Sequence, residues 1–182
     1  MRCLLIGCLV FFSAGCSVPA KQPVLHDFGA SVSTATDQQG KASVSINAPT
    51  WLWDNRIRYR LLFASPSQVR FYGLDRWIAS PPEMFEQLLH LSGKALDYAL
   101  IIRLQDFEQQ FDAPDRARVV LRFSVEAYSD NDKQKVATQE FYLQQPTKTP
   151  DAAGAIIGFI DLVHKATESV QDWVAGLSDR RG

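Results

Sequence analysis

DYALIIRLQDFEQQFD (residues 97–112), APDR (113–116) and ARVVLRFSVEAYS (117–129) form one continuous stretch. In its second half Val119, Leu121, Phe123, Val125 and Ala127 fall on one side of an extended chain, with Val120, Arg122, Ser124, Glu126 and Tyr128 on the other. A period of two marks a half-buried strand, because successive side chains of an extended backbone point to opposite faces. APDR sets a proline beside an aspartate, which is turn chemistry, so the two runs are expected to pair as an antiparallel hairpin. KVATQEFYLQ (135–144) follows the polar DNDKQ and extends the hairpin into a meander.

Upstream, VLHDFGASVST (24–34) reads as a first strand, followed by a polar loop at TDQQGK (36–41). ASVSINAP (42–49) alternates Val44 and Ile46 with polar residues until Pro49 stops it. In NRIRYRLLF (55–63), Arg56, Arg58 and Arg60 alternate with Ile57, Tyr59 and Leu61, so three guanidinium groups share one strand face and the other face is core. Two readings of that stripe stay open: a dock for an acidic partner or lipid headgroup, or a solvated face whose arginine stems cover apolar surface. SQVRFYGLDRWIA (67–79) reads as a further strand.

Ser80, Pro81 and Glu83 open a helix: the serine caps, proline suits the first helical position, and a glutamate three residues after the cap completes a capping box. Phe85, Leu88, Leu89 and Ser92 follow at helical spacing, and Gly93 is the expected stop. A second, longer helix is expected from Thr149 as cap and Pro150 at the first position, with Asp151 favoured by the helix dipole. Its apolar stripe is Ile156, Phe159, Val163, Ala166, Val170, Trp173 and Leu177. Two helices and six or seven strands predict an α+β two-layer domain over residues 24–178, with a mostly antiparallel sheet.

With 19 Lys plus Arg against 20 Asp plus Glu in 182 residues, no bulk field draws the chain to nucleic acid or anionic lipid. His26, His90 and His164 lie on separate predicted elements without metal-ligand spacing, so no metal and no cofactor is expected. No nucleophile elbow or phosphate loop is present. Asp106, Glu108 and Asp112 share a strand, where a solvated rim is the ordinary reading and an acid/base pair the other. No catalytic residue is expected. Trp51, Trp53, Tyr72, Trp77, Phe107, Phe111 and Trp173 read either as core and helix-on-sheet packing or as the lining of an acyl groove.

The chain opens with Arg2, the apolar run CLLIGCLVFF (3–12), and then Ser13, Ala14 and Gly15 before Cys16. That order is a secretory signal, too short to span a bilayer. Its end resembles the lipobox of bacterial lipoproteins, with Ser13 where Leu is usual. The resemblance implies a signal peptide at 1–15, acylation of Cys16, and a tether over 16–23. The three cysteines, Cys3, Cys8 and Cys16, all lie in this segment, so cleavage leaves one thiol and no intrachain disulfide. Ser17, in place of Asp, implies sorting to the outer membrane.

APTWLWDNRIRYRLLFASPSQVRFYGLDRWIASPPEMFEQLL (48–89) resembles the ABC-type transport auxiliary lipoproteins, the group that includes PqiC-like proteins. The resemblance continues through DFEQQFD (106–112) and VQDWVAGL (170–177), and HDFG (26–29) is similar to the opening of one branch. It rests on Tyr59 with Arg60, on Tyr72 with Arg76 and Trp77, and on Pro81 and Pro82. It implies a non-enzymatic lipoprotein on the periplasmic face of the outer membrane, serving an MCE-type ABC system that moves lipids between membranes. An MCE-domain protein would be its partner. Contact with that partner or its lipid is expected at the turn around 72–82, with Arg58, Arg60, Tyr72, Arg76, Trp77, Pro81 and Pro82 as contact residues. A periplasmic carrier that holds an acyl chain between helix and sheet is the alternative, and an envelope hydrolase dependent on an acid such as Asp106 is a third reading. A bound phospholipid and a homo-oligomer stay open. Metabolic labelling with palmitate is expected to mark the full-length chain in a bacterial host and to leave Cys16→Ser unmarked; label on the variant would refute the assignment.

Overall fold

The computed structural model describes residues 21–29, 43–91, 98–129 and 133–178. Its strands are β1 (Val24–His26), β2 (Val44–Asn47), β3 (Arg56–Leu61), β4 (Val69–Trp77), β5 (Tyr98–Ala113), β6 (Arg116–Ser129) and β7 (Lys135–Pro146). Its helices are α1 (Pro81–Leu91) and α2 (Ala152–Ser178), with a short 3₁₀ turn at Thr50–Leu52. One mixed sheet runs β1-β4-β3-β5-β6-β7, and β2 also pairs with β5. The fold is α+β, with both helices packed on the sheet, as the sequence pattern predicts. The signal segment, Cys16, the 36–41 loop, Gly93 and residues 130–132 lie outside the described residues.

The hairpin at the centre is the long one read from the sequence: β5 and β6 are antiparallel from Tyr98 opposite Ser129 to Ala113 opposite Arg116. β7 continues the antiparallel meander on the far side of β6. The long ladders are antiparallel, but β1 joins β4, and β2 and β3 join β5, through short parallel junctions. Strand periodicity carries no sign of these, since it reports faces and not neighbours.

β5 is paired along both edges. β6 covers one edge, while β2 takes Leu100–Arg103 and β3 takes Gln109–Phe111 of the other. β2 and β3 therefore lie end to end on the same flank, and the 3₁₀ turn bridges them. Between the two junctions, the β5–β6 register shifts at Leu104/Asp106. Such a bulge inserts one residue and inverts the alternation beyond it. Leu100, Ile102 and Leu104 before it and Phe107 and Phe111 after it are all buried. Without the bulge the two phenylalanines would face away from the helices.

α1 starts as the sequence predicts. The Ser80 N–H and hydroxyl both donate to Glu83 Oε2, at 2.9 and 2.5 Å, and the Glu83 N–H returns to Ser80 Oγ at 3.5 Å. These bonds hold the Glu83 carboxyl below the usual carboxylate range. At α2 the cap differs from expectation. Asp151, not Thr149, accepts the Gly154 N–H at 2.8 Å, and the Thr149 hydroxyl instead donates to Asp151 Oδ1 at 2.7 Å. A carboxylate is the stronger acceptor at a helix N-terminus, and the dipole favours its charge. The first strand also ends earlier than expected: Asp27 Oδ1 accepts the Gly29 N–H at 2.8 Å, and Gly29 takes φ +62°, a left-handed turn open to glycine. That turn sends Phe28 into the core.

The core lies between sheet and helices. Phe107 stacks on Phe159 of α2 with ring centroids 4.0 Å apart, and Trp77 meets Phe28, Phe107 and Phe159 edge-on. Burying each such ring contributes roughly 1.5–3 kcal/mol, with ~0.5–1.5 more for favourable ring pairs. The α2 stripe is buried as expected, apart from Trp173, which is half-buried and meets Phe141 of β7 edge-on.

Two glycines of α2 have opposite surroundings. A Cβ on Gly154 would lie 2.0 Å from the Thr149 carbonyl oxygen, whereas one on Gly176 would meet nothing within 4 Å. Gly154→Ala is expected to destabilise by about 1–3 kcal/mol, and Gly176→Ala to stabilise by roughly 0.5–1 kcal/mol through helix propensity. Urea denaturation of both would check this, and equal midpoints would contradict the packing at the start of α2.

Candidate interaction surface

The arginine stripe of β3 exists, but its charges are committed within the fold. Asp54, just before the strand, accepts from both Arg56 and Arg58 at 2.7 Å. Arg56 also lies 3.7 Å from the centroid of Phe71 on β4, in cation–π geometry. Arg58 is buried. Arg60 makes a two-pronged contact with Glu108 of β5, Nε to Oε1 and Nη2 to Oε2, both at 3.0 Å, and donates to the Pro66 carbonyl. The hydrogen bonds it donates to the Glu108 carboxylate raise the Arg60 pKa further. Arg58 is therefore an internal anchor of the sheet, and Arg60, though partly exposed, has its charge engaged by Glu108.

The same pattern covers the sheet face away from the helices. Arg118 pairs with Asp112, Arg122 with Asp106 at 2.6 Å, and Arg103 and Lys135 both with Glu126 at 3.5 Å. Asp106, Glu108 and Asp112, the strand carboxylates noted in the sequence, each hold an arginine. Exposed pairs of this kind contribute about 0–1 kcal/mol each, but together they cover apolar stems and fix register. Among the described residues no group of His, Cys, Asp and Glu could hold a metal ion.

Of the 72–82 residues, several turn inward. Trp77 is fully buried, Pro81 and Pro82 are buried, and Tyr72 is half-buried. Trp77 is thus a core residue and not a contact residue, because the β4 alternation places it opposite the exposed Ile78 and under Phe159. Pro81 and Pro82 do the work of a helix start. Gly73, Leu74 and Ile78 remain exposed and Arg76 half-exposed. Between the pairs Arg56–Arg76 and Arg58–Phe71, β3 advances two residues and β4 five, so the surplus of β4 stands out around Gly73 and Leu74. Arg76 makes no ion pair among the described residues.

Tyr72 serves a residue that sequence reasoning missed. Gln109 is fully buried on the helix side of β5. Its Oε1 accepts the Tyr72 hydroxyl at 2.6 Å, and its Nε2 donates to Thr147 Oγ1 and the Asp151 carbonyl, both at 3.4 Å. Burial pushes the Tyr72 phenol up, so it stays protonated and able to donate. Gln109 ties β4, β5 and the entry to α2 together. Its polarity inside an otherwise apolar alternation was the available signal.

Of the apolar residues left at the surface, one group lies on the β1–β4 side of the sheet. Trp51 and Trp53 flank the buried Leu52 on the 3₁₀ turn, and Val24 and Leu25 occupy the β1 edge. The Trp77 N–H donates to the Asn55 carbonyl and the Ile78 N–H to the His26 carbonyl, both at 2.8 Å. These bonds bring the end of β1, the end of β4 and the turn before β3 to the same end of the sheet. His26 and Asp75 close the edge at 2.9 Å.

Asp54 gives this surface a pH dependence. Burial works against its charge, but hydrogen bonds from the Arg56 side chain and backbone and from Arg58 outweigh that and bring it from 3.8 to about 2. A carboxyl held below its unfolded value stabilises the fold above that value and stops doing so as pH falls through the folded one. The stability gap between the wild type and Asp54→Asn is expected to be full above about pH 4 and to close towards pH 2. Denaturation curves across that range would check it; a constant gap would argue against the Asp54 pairing.

No family model matches the chain, and no curated protein does. Solved structures do share its fold. A DUF330 protein, XCC0632 from Xanthomonas campestris, superposes with a TM-score of 0.69 at 19% identity, covering 90% of this chain and 92% of that one. An uncharacterized protein superposes with a TM-score of 0.60 at 10% identity, covering 82% of this chain and 96% of that one. At these identities the likeness is one of fold: this chain has the mixed-sheet, two-helix architecture of a DUF330 protein over nearly its whole described length.

Proposed function

We propose that this chain is a lipoprotein anchored through Cys16 in the outer membrane, facing the periplasm, and that it is a non-catalytic auxiliary component of an ABC/MCE-type system for lipid transport between membranes. The observation that carries the reading is the agreement of two independent likenesses. The sequence of 48–89 resembles the auxiliary lipoproteins, and the fold matches a DUF330 structure over 90% of the chain. The division of labour suits the chain. A two-acyl anchor holds it at the membrane, since each buried CH₂ contributes about 0.8 kcal/mol, and the folded domain presents a rigid surface to an MCE-domain partner or to its lipid.

The carrier alternative needs an acyl chain between helix and sheet. That space is filled by Phe107, Phe159, Leu162, Val163, Ala166 and Val170, nearly all inaccessible to solvent. Entry of lipid there would require the core to part, so the docking reading is favoured. Of the residues named from the sequence, Arg76 is the one that remains available for contact at the surface, together with its exposed neighbours Leu74 and Ile78.

Full-length acylated protein, purified in detergent, is expected to capture an MCE-domain protein encoded in the same genome and to show a lipid-free mass in native mass spectrometry. Bound phospholipid with no such capture would replace this reading with the carrier.

A further inference from the structure

Several surfaces were left without a role by the fold and by the ion pairs. The one that carries furthest is the end of the sheet where β1, the end of β4 and the 3₁₀ turn meet. Trp51 is 64% exposed and Ile78 60%, and Trp53, Leu25 and Leu74 are also exposed. Isolated apolar side chains at a surface need no explanation, but two tryptophans and three aliphatic residues at one end of a sheet do. Trp53 keeps its ring fixed by donating Nε1–H to the Ala48 carbonyl at 3.1 Å, so the indole is held out, not folded away.

We propose that this end of the sheet is the surface with which the domain rests on the phospholipid headgroups. The inference depends on the anchored reading of Cys16. Val24, the first residue of β1, follows Cys16 by eight positions, and an extended chain reaches at most about 3.5 Å per residue. The β1 edge is therefore confined within ~28 Å of the acylated residue, well short of the roughly 50 Å that the 16 residues of β5 span. A leash this short keeps the β1 side close to the bilayer.

The chemistry of the patch agrees. Tryptophan favours the interface between hydrocarbon and water, where its ring is apolar and its N–H is satisfied. Leu25 and Arg76 are directly opposed across the β1–β4 ladder, and Arg76 is opposed to Arg56 across β4–β3. Of the acids at this end, Asp75 is held by His26, and Asp54 is shared between Arg56 and Arg58. Asp27 accepts the Gly29 N–H, which leaves Arg76 without an acid partner among the described residues, and its guanidinium can take a headgroup phosphate in bidentate fashion.

Full-length protein in vesicles of phosphatidylethanolamine and phosphatidylglycerol carrying brominated acyl chains would test this. Trp77 is fully buried and Trp173 half-buried against Phe141, so bromine quenching of tryptophan fluorescence reports mainly Trp51 and Trp53. Quenching in the wild type that is largely lost in the Trp51→Phe, Trp53→Phe double variant, and weakened by Arg76→Glu, is the expected result. Trp51→Phe alone keeps the test readable should the double variant fail to fold. Acylated protein whose tryptophans stay unquenched and open to aqueous acrylamide would overturn the inference while leaving the anchor intact. Shielding from acrylamide without bromine quenching would overturn it too, and would assign the patch to a protein. An intact mass lacking acyl chains would remove the anchored reading itself, and this inference with it, before any fluorescence was measured.

Discussion

The structure depends on a single constraint: β5 is longer than any one neighbour on its second edge, and its backbone must still be paired. Unpaired N–H and C=O groups along a strand in the middle of a sheet would each go without a partner away from water. The chain solves this by laying β2 and β3 in series on that edge, with the bulge at Leu104/Asp106 between them. The bulge keeps one face of β5 turned to the helices from Leu100 to Phe111, apolar but for Gln109, and so permits the Phe107–Phe159 stack that joins sheet to α2. The gap between β2 and β3 is where the 3₁₀ turn leaves the sheet, which is why Trp51 and Trp53 stand in solvent.

From that arrangement the two faces of the sheet acquire different characters. The helix side is packed with aromatic and aliphatic residues, interrupted by Gln109, whose hydrogen bonds are all made inside. The opposite side is a field of arginine–carboxylate pairs. Neutralised in this way, that face has little to offer a charged partner, and the available chemistry moves to the β1–β4 end, where Arg76 is unpaired among the described residues and apolar side chains are exposed. Under the proposed anchoring at Cys16, that end lies close to the membrane.

Much of the fold was legible in the sequence because it is encoded locally. The β5–β6–β7 meander follows from period-two alternation and turn residues within a few positions of one another. The capping box at Ser80 and Glu83 is contained in four residues, and the α2 stripe repeats every three or four.

What only the tertiary structure decided concerns partners far apart in the chain. Arg60 meets Glu108 and Tyr72 meets Gln109 across 48 and 37 residues, and alternation alone could say that three arginines share a face but not that acids wait there. The resemblance put Trp77 among the contact residues; the register of β4 and the arrival of α2 bury it. Asp151 displaced Thr149 as a cap because the helix began two residues later than the spacing allowed, a choice set by which side chain could reach the Gly154 amide. The sequence by itself determined most of the secondary elements and the fold class, since short-range sterics and hydrophobic period specify those. Which charges are satisfied, and which surface is left to meet a membrane or a partner, was decided when strands remote in sequence were brought side by side.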